Sequence, residues 1–149
     1  MKNFMVYDIG GSSVKWSVIE EAGKILISGK IKIAENITGF FKSLADVCNE
    51  MKDKYELSGI AISAPGAVDS ETGIIGGMSA IPYIHGPNFK DELKELTGLN
   101  VEIENDANCA ALARNVAKLK GLDEGSIDGM GVFDLCSKGD EIAAKEVTK

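Results

Sequence analysis

Cysteine is scarce in this sequence: three residues in 149, Cys48, Cys109 and Cys136, odd in number and far apart. That spacing forms no zinc site and no disulfide framework, and it suits a reducing compartment. Basic blocks are also missing, and the formal net charge is −7. A nucleic-acid backbone or an anionic membrane is therefore not an expected partner. The longest apolar runs fall well short of a membrane span, and the first residues lack the charged-then-apolar pattern of a secretion signal. The expectation is a cytoplasmic protein, in which the sequon Asn36-Ile37-Thr38 has no meaning. What remains is ordinary: 44% hydrophobic and 26% charged residues, in a length suited to one domain with an adequate core.

The most informative stretch is Asn3 to Lys15, NFMVYDIGGSSVK. Phe4 to Tyr7 is a short continuous apolar run, the pattern of a strand covered on both faces. Gly10 and Gly11 then allow a tight turn and a close approach to a ligand. Successive amide N–H groups in such a turn form an anion site, to which Ser12, Ser13 and Lys15 add donors and one positive charge. Asp8 would repel a bare phosphate, and that repulsion vanishes if a divalent cation lies between them, so the combination points to a metal-nucleotide. The alternative is a glycine hairpin with an incidental Asp.

Val14 to Glu20 reads as a second strand, with Val14, Trp16 and Val18 alternating with more polar neighbours. Glu21 to Lys24 is a turn, and Ile25 to Ile33 is a third strand. A first helix is predicted from about Thr38 to Tyr55, with Phe40, Phe41, Leu44, Val47, Cys48, Met51 and Tyr55 on one face. Cys48 in that stripe reads as core. Gly59 to Ser63 is a buried strand emptying into Ala64-Pro65-Gly66-Ala67-Val68-Asp69, the way α/β proteins build a ligand-facing loop at a strand's C-terminal end. Asp69 to Gly73 is a polar turn, and Gly76 to Asn88 a loop holding the only histidine. His85 reads as an exposed loop residue without a role, the alternative being contact with a substrate hydroxyl or an interface. Asn88 to Thr97 is a second helix with Phe89, Leu93 and Leu96 on one face and Gly98 as C-cap. Val101 to Glu104 is a strand, followed by Asn105-Asp106 opening an alanine-rich helix. That polar pair is either an N-cap or a carboxylate beside an amide, placed to accept a hydroxyl proton while the amide orients the hydroxyl.

The order strand, strand, strand, helix, strand, helix, strand, helix resembles the ribonuclease-H-like half of the actin and hexokinase architecture: an α/β fold with a mixed sheet and flanking helices. Three segments match in order: Asp8-Ile9-Gly10-Gly11-Ser12-Ser13-Val14-Lys15 resembles a first phosphate loop, Ser63 to Asp69 with Thr72-Gly73 a sugar-side loop, and Glu104-Asn105-Asp106-Ala107-Asn108 to Ala113 a catalytic segment. Together they resemble the ROK family (repressors, open reading frames, kinases), which includes glucokinases and related hexose and N-acetylhexosamine kinases. The resemblance covers about Phe4 to Ala113. It implies a transferase moving the γ-phosphate of ATP, with Mg2+, to a sugar hydroxyl. Asp106 would be the general base, Asn105 would hold the sugar, and Gly66 would line its pocket. Asp8 would act near the metal, with Gly10, Gly11, Ser12 and Lys15 at the transferred phosphate. No side-chain cluster is assigned as a metal site.

Departures from the family pattern matter as much. Ser12 stands where threonine is usual, and an Ala-Pro-Asn sugar segment is replaced by Ser79-Ala80-Ile81-Pro82-Tyr83-Ile84-His85-Gly86-Pro87-Asn88. Beyond Ala113 the family's second glycine-rich phosphate loop, Glu-x-Gly-His segment and cysteine-rich zinc site have no counterpart. Residues 114–149, especially Gly129 to Cys136 and Lys138 to Ala143, instead resemble a helical segment found much later in full-length members. The expected division is a sugar-kinase lobe over 1–113 and a short helical tail over 114–149, as in a truncated or internally deleted form. The other readings are a sugar-binding or regulatory remnant without turnover and an engineered single lobe. Apolar surface left by the missing cover implies homo-oligomers. The family's repressors carry an N-terminal helix-turn-helix, and none precedes Met1-Lys2-Asn3, so DNA binding is not expected.

Overall fold

The computed structural model describes residues 2–109. Three strands open the chain, β1 (Asn3–Ile9), β2 (Ser13–Glu20) and β3 (Ile25–Lys32), paired antiparallel in sequence order. Helix α1 (Ile37–Lys52) follows, and β4 (Leu57–Ala64) enters on the other side of β1, parallel to it. Next come a small antiparallel hairpin, β5 (Ala67–Asp69) with β6 (Ile74–Gly76), and a 3₁₀ turn at Pro82–Ile84. Helix α2 (Phe89–Thr97) leads to β7 (Val101–Asn105), parallel to β4. The sheet order is β3-β2-β1-β4-β7, and residues 106–109 are helical. This is the predicted element order with one addition. The β5–β6 hairpin read as loop and turn because three-residue strands carry too little periodicity to register. The predicted tail over 114–149, with Cys136 and the continuation of the last helix from Ala110, lies outside the described residues.

The central strands β1 and β4 bury apolar residues on both faces of the sheet. Met5, Tyr7 and Ile9 of β1 pack with Ile60, Ile62 and Ile103 against α1 and α2. Val6, with Ile19, Ala61 and Cys109, forms a smaller core on the opposite face. Buried Tyr7 donates its hydroxyl to the Leu44 carbonyl of α1, and burial holds its pKa well above the ordinary tyrosine value. On the edge strand β3, Gly29 is required for space, since a Cβ there would stand 2.6 Å from the Trp16 ring lying across it.

Helix α1 begins one residue before the predicted start and ends three before the predicted end. Asn36 caps it by accepting from the Gly39 N–H at 2.9 Å. Tyr55 lies past the helix yet packs on the core, because one more i→i−4 bond, Tyr55 N–H to Met51 carbonyl, holds it there. Its helical spacing therefore continued beyond the regular helix. Cys48 is core as expected, its thiol pushed up to about 11 by burial. In α2 the inward face is Phe89, Leu93 and Thr97, spaced by four, whereas Leu96 is 46% exposed. Thr97 tolerates burial by donating its hydroxyl to the Leu93 carbonyl at 2.6 Å. Gly98 closes α2 in the left-handed region at φ 77°, a conformation glycine adopts without strain. Edge-on ring contacts join Phe40 to Tyr83 and Phe41 to Phe89, with centroids 5.7 and 4.8 Å apart. They carry the loop after β6 onto α1. Among the described residues no helix is long and apolar enough to cross a membrane.

Ser17 is wholly buried on β2, opposite Val6 and Ser28, and its hydroxyl has no hydrogen-bond partner among the described residues. An unsatisfied buried hydroxyl is destabilising. Ser17→Ala is therefore expected to leave unfolding free energy unchanged or raise it by up to about 1 kcal/mol in urea titration. A loss of more than about 1 kcal/mol would show that the hydroxyl is bonded in solution.

Candidate active site

Three parallel strands end together. The register sets Asp8 of β1 against Ser63 of β4, Ser63 against Glu104 of β7, and Ala64 against Asn105. Alternation along each strand turns Asp8, Ser63 and Glu104 away from the α1 and α2 face, since Tyr7, Ile62 and Ile103 occupy that face. Asp8 and Asn105 lie at the ends of β1 and β7, Lys15 lies on β2, and the other site residues expected from the sequence lie in the segments leaving the three parallel strands. Gly10 to Ser12 follow β1, Gly66 follows β4, and Asp106 follows β7.

The turn after β1 is closed by the Gly10 N–H donating to the Ser13 carbonyl at 3.0 Å. Gly10, Gly11 and Ser12 are all exposed. Neither glycine has a positive φ, so their need is for space: a Cβ on Gly10 would meet the Ser13 carbonyl at 3.1 Å, and one on Gly11 the Ala80 Cβ at 3.3 Å. Exposed Lys15 stands directly across the ladder from Asp8. Asp8 itself is half-buried. Burial raises its pKa, the Lys15 charge opposes that shift, and the Asp106 carboxylate adds to it. Asp8 and Asp106 thus feel one another although 98 positions separate them in the sequence.

Asn105 does two things at once. Its Oδ1 accepts from the Ala107 and Asn108 N–H groups at 2.9 and 3.2 Å, which caps the helical residues after β7. Its Nδ2 donates to the Gly66 carbonyl at 2.6 Å, tying the loop after β4 to the end of β7. The N-cap alternative is therefore realised, and the Asn105 oxygen is committed to the backbone. Asp106 is exposed, with Oδ1 accepting from the Ala107 N–H at 2.8 Å. Gly66 has φ 96°, and a Cβ there would stand 2.8 Å from the Gly76 carbonyl, so no other residue fits without strain. An open groove of about 660 Å³ runs from Asn105 and Asn108 past Gly66 to Asp69 and Glu71. Asp69 shapes its far end by accepting from the Glu71 and Thr72 N–H groups at 3.0 and 3.2 Å. Those bonds, the Thr72 one foremost, hold its carboxyl below the usual range.

Two features escaped the sequence. Glu104 accepts from the Asn105 N–H at 2.8 Å and from Asn108 Nδ2 at 3.0 Å, bracing the segment Asn105 to Asn108 from the strand side. His85 is not a bare exposed histidine: it is half-buried, with one ring nitrogen 2.8 Å from Ser79 Oγ and the other 3.1 Å from the Gly76 carbonyl. The signal available was its place in a loop that also holds Ser79, in a chain with no other histidine. Among the described residues no three side chains gather as a metal site. Asp8 and Asp106 nonetheless present two carboxylates whose mutual repulsion a divalent cation would relieve.

A parallel-strand edge with a glycine turn, a groove and an exposed carboxylate defines an α/β protein of the type that binds ligands at strand ends. The ROK family profile matches residues 5–126, and the chain belongs to the ROK family. A β-glucoside kinase of Listeria monocytogenes is 36% identical over 134 residues, covering 85% of this chain and 45% of the relative. A ROK family protein of Streptococcus pneumoniae solved in complex with sucrose is 38% identical, with TM-score 0.67, covering 79% of this chain and 39% of that one. A ROK glucokinase of Streptomyces griseus solved with glucose and AMPPNP is 26% identical, with TM-score 0.67, over 75% of this chain and 36% of that one. The chain spans less than half the length of the curated relatives it matches.

Because the folded Asp8 value stands above the unfolded one, its contribution to stability is full below about pH 4 and is lost as pH rises through the folded value. Asp8→Asn removes the charge that burial and Asp106 disfavour. Calorimetry is expected to show a higher melting temperature than the unsubstituted chain at pH 7, with the gap closing as pH falls to 3. An equal gap at both pH values, or a lower melting temperature at pH 7, would contradict this electrostatic account.

Proposed function

We propose that residues 1–113 are the sugar-side lobe of a carbohydrate kinase, which transfers the γ-phosphate of ATP to a hydroxyl of a hexose, an N-acetylhexosamine or a β-glucoside. The observation that carries this reading is the Asn105–Gly66 hydrogen bond, which joins the groove to Asp106 at the same strand edge as Asp8. In this reading Asp106 accepts the proton of the attacking hydroxyl, and the free N–H of the Asn105 amide orients the sugar. Gly66 allows the ring close to the backbone. Gly10 closes the turn that presents the Gly11 and Ser12 N–H groups and the Ser12 hydroxyl as donors to the transferred phosphate, and Lys15 supplies positive charge. Mg2+ held near Asp8 would neutralise charge on the phosphates. Such chemistry depends on positioning and charge compensation more than on covalent steps with the protein.

The adenosine pocket and second phosphate loop implied by the family resemblance have no counterpart in these 149 residues. The polypeptide assayed alone should therefore bind sugar weakly and turn over little. The sugar-binding remnant without turnover is the second reading. Self-association, a cytoplasmic location and the absence of a nucleic-acid partner belong to the proposal too. They rest on composition and on the exposure of Met78 and Leu96.

Calorimetric titration with glucose, a β-glucoside and ATP in separate experiments tests the reading. Sugar is expected to bind, and Asp106→Asn to weaken it about tenfold or more, as for the loss of a hydrogen bond to a charged group. ATP should bind poorly. Sugar affinity unchanged by Asp106→Asn, or no sugar affinity at millimolar concentration, would contradict the assignment. ATP-dependent phosphorylation of a hexose by the 149-residue chain, abolished by the same substitution, would uphold the kinase and refute the remnant.

A further inference from the structure

The loop from Gly77 to Gly86 touches both halves of the proposed site. At one end Ala80 lies so close to the glycine turn that a Cβ on Gly11 would meet its Cβ at 3.3 Å. At the other end the His85 ring lies over the sugar-side loop, its Cε1 3.1 Å from where a Cβ on Gly66 would stand. Between these ends the loop is fastened by His85. One ring nitrogen, Nε2, is 2.8 Å from Ser79 Oγ, and Nδ1 is 3.1 Å from the Gly76 carbonyl and 3.3 Å from that of Ile75. Carbonyls only accept, so Nδ1 carries a proton, and Nε2 shares a hydrogen bond with the Ser79 hydroxyl, which also lies 3.3 Å from the Ile81 carbonyl. Ser79 Oγ in turn accepts from the Ile81 N–H at 3.2 Å, and the Gly86 N–H donates to the Ile75 carbonyl at 3.2 Å. The start and end of the loop are thus bound to each other and to β6 through one imidazole.

From β6 the connection reaches the reacting groups. β6 pairs with β5, and Gly66, just before β5, packs so tightly on the Gly76 carbonyl that no Cβ fits. The Gly66 carbonyl receives Asn105 Nδ2, and Asn105 precedes Asp106. We infer that His85 is a positioning residue for sugar binding: it locks the loop and the β5–β6 hairpin into the arrangement that fixes Gly66 and Asn105 beside Asp106. The residue touches none of the proposed catalytic groups directly through a hydrogen bond. It acts by limiting how far the sugar-side loop drifts from the glycine turn. This inference rests on the proposed function for its sugar, and on the geometry alone for its coupling of His85 to Asn105.

The test compares the 149-residue chain with His85→Ala, His85→Asn and Ser79→Ala. Asparagine can keep a donor near the Nδ1 position, and so serves as the conservative variant. Two readouts are taken: glucose affinity by calorimetry, and NMR hydrogen exchange of the Asn105 side-chain amide and Gly66 backbone N–H, each at matched distance below the melting temperature. The expected result for His85→Ala is a five- to tenfold weaker glucose affinity and at least tenfold faster exchange of the Asn105 side-chain amide. His85→Asn should recover most of both, and Ser79→Ala should fall between. Unchanged Asn105 exchange in His85→Ala overturns the inference, as does failure of His85→Asn to recover exchange while its fold is intact. If His85→Ala does not fold, Ser79→Ala decides, with unchanged exchange and affinity counting against the inference. Should the unsubstituted chain bind no glucose, the proposed function fails, while the exchange comparison still decides whether His85 holds Asn105.

Discussion

The parallel pairing of β1 with β4 and of β4 with β7 is the constraint on which the rest depends. In register, it brings Asp8, Ser63 and Glu104 into one row and leaves the loops after all three strands on one edge. A slip of one residue would turn each of these side chains to the other face and carry Tyr7, Ile62 and Ile103 out of the core. The hydrophobic pattern on both faces therefore fixes the site as firmly as it fixes the fold. Burial of Met5, Tyr7, Ile60, Ile62 and Ile103 against α1 and α2 is what makes that register the stable one.

Against that rigid base the site contains features that favour function over stability. Asp8 is half-buried near a like charge, and Gly66 occupies a conformation and a space that exclude every side chain. Such local conflicts persist only where surrounding structure over-determines them. Here the surroundings are identifiable: Lys15 across the ladder from Asp8, the Gly76 carbonyl and His85 ring around Gly66, and Glu104 beneath Asn105.

Much of this was legible in the sequence, because the informative signals were local. The continuous apolar run of β1, the glycine pair, the small-residue loop after β4 and the Asn-Asp pair after β7 each announce a strand end. The family resemblance drawn from the three motifs agrees with the profile match over residues 5–126. Errors came where periodicity and structure part. Leu96 kept helical spacing but lies off the inward stripe of a nine-residue helix, and Tyr55 kept it beyond the helix end. The role of Asn105 as both cap and tie was not separable, since a cap is read from i+2 and i+3 whereas Gly66 is 39 positions away. His85 was missed for the same reason: its carbonyl partners lie nine and ten residues back, across a hairpin too short to see.

The central claim is that the ends of β1, β4 and β7 form one sugar-binding edge. Backbone amide shifts of the uniformly labelled chain, followed during a glucose titration, test it most directly. The account predicts concerted movement of the Gly10, Gly66, Ala67, Asn105 and Asp106 signals with a single affinity, while β3 and α2 stay still. Movement confined to α1 and α2, or separate affinities for the Gly66 and Asp106 signals, would contradict it.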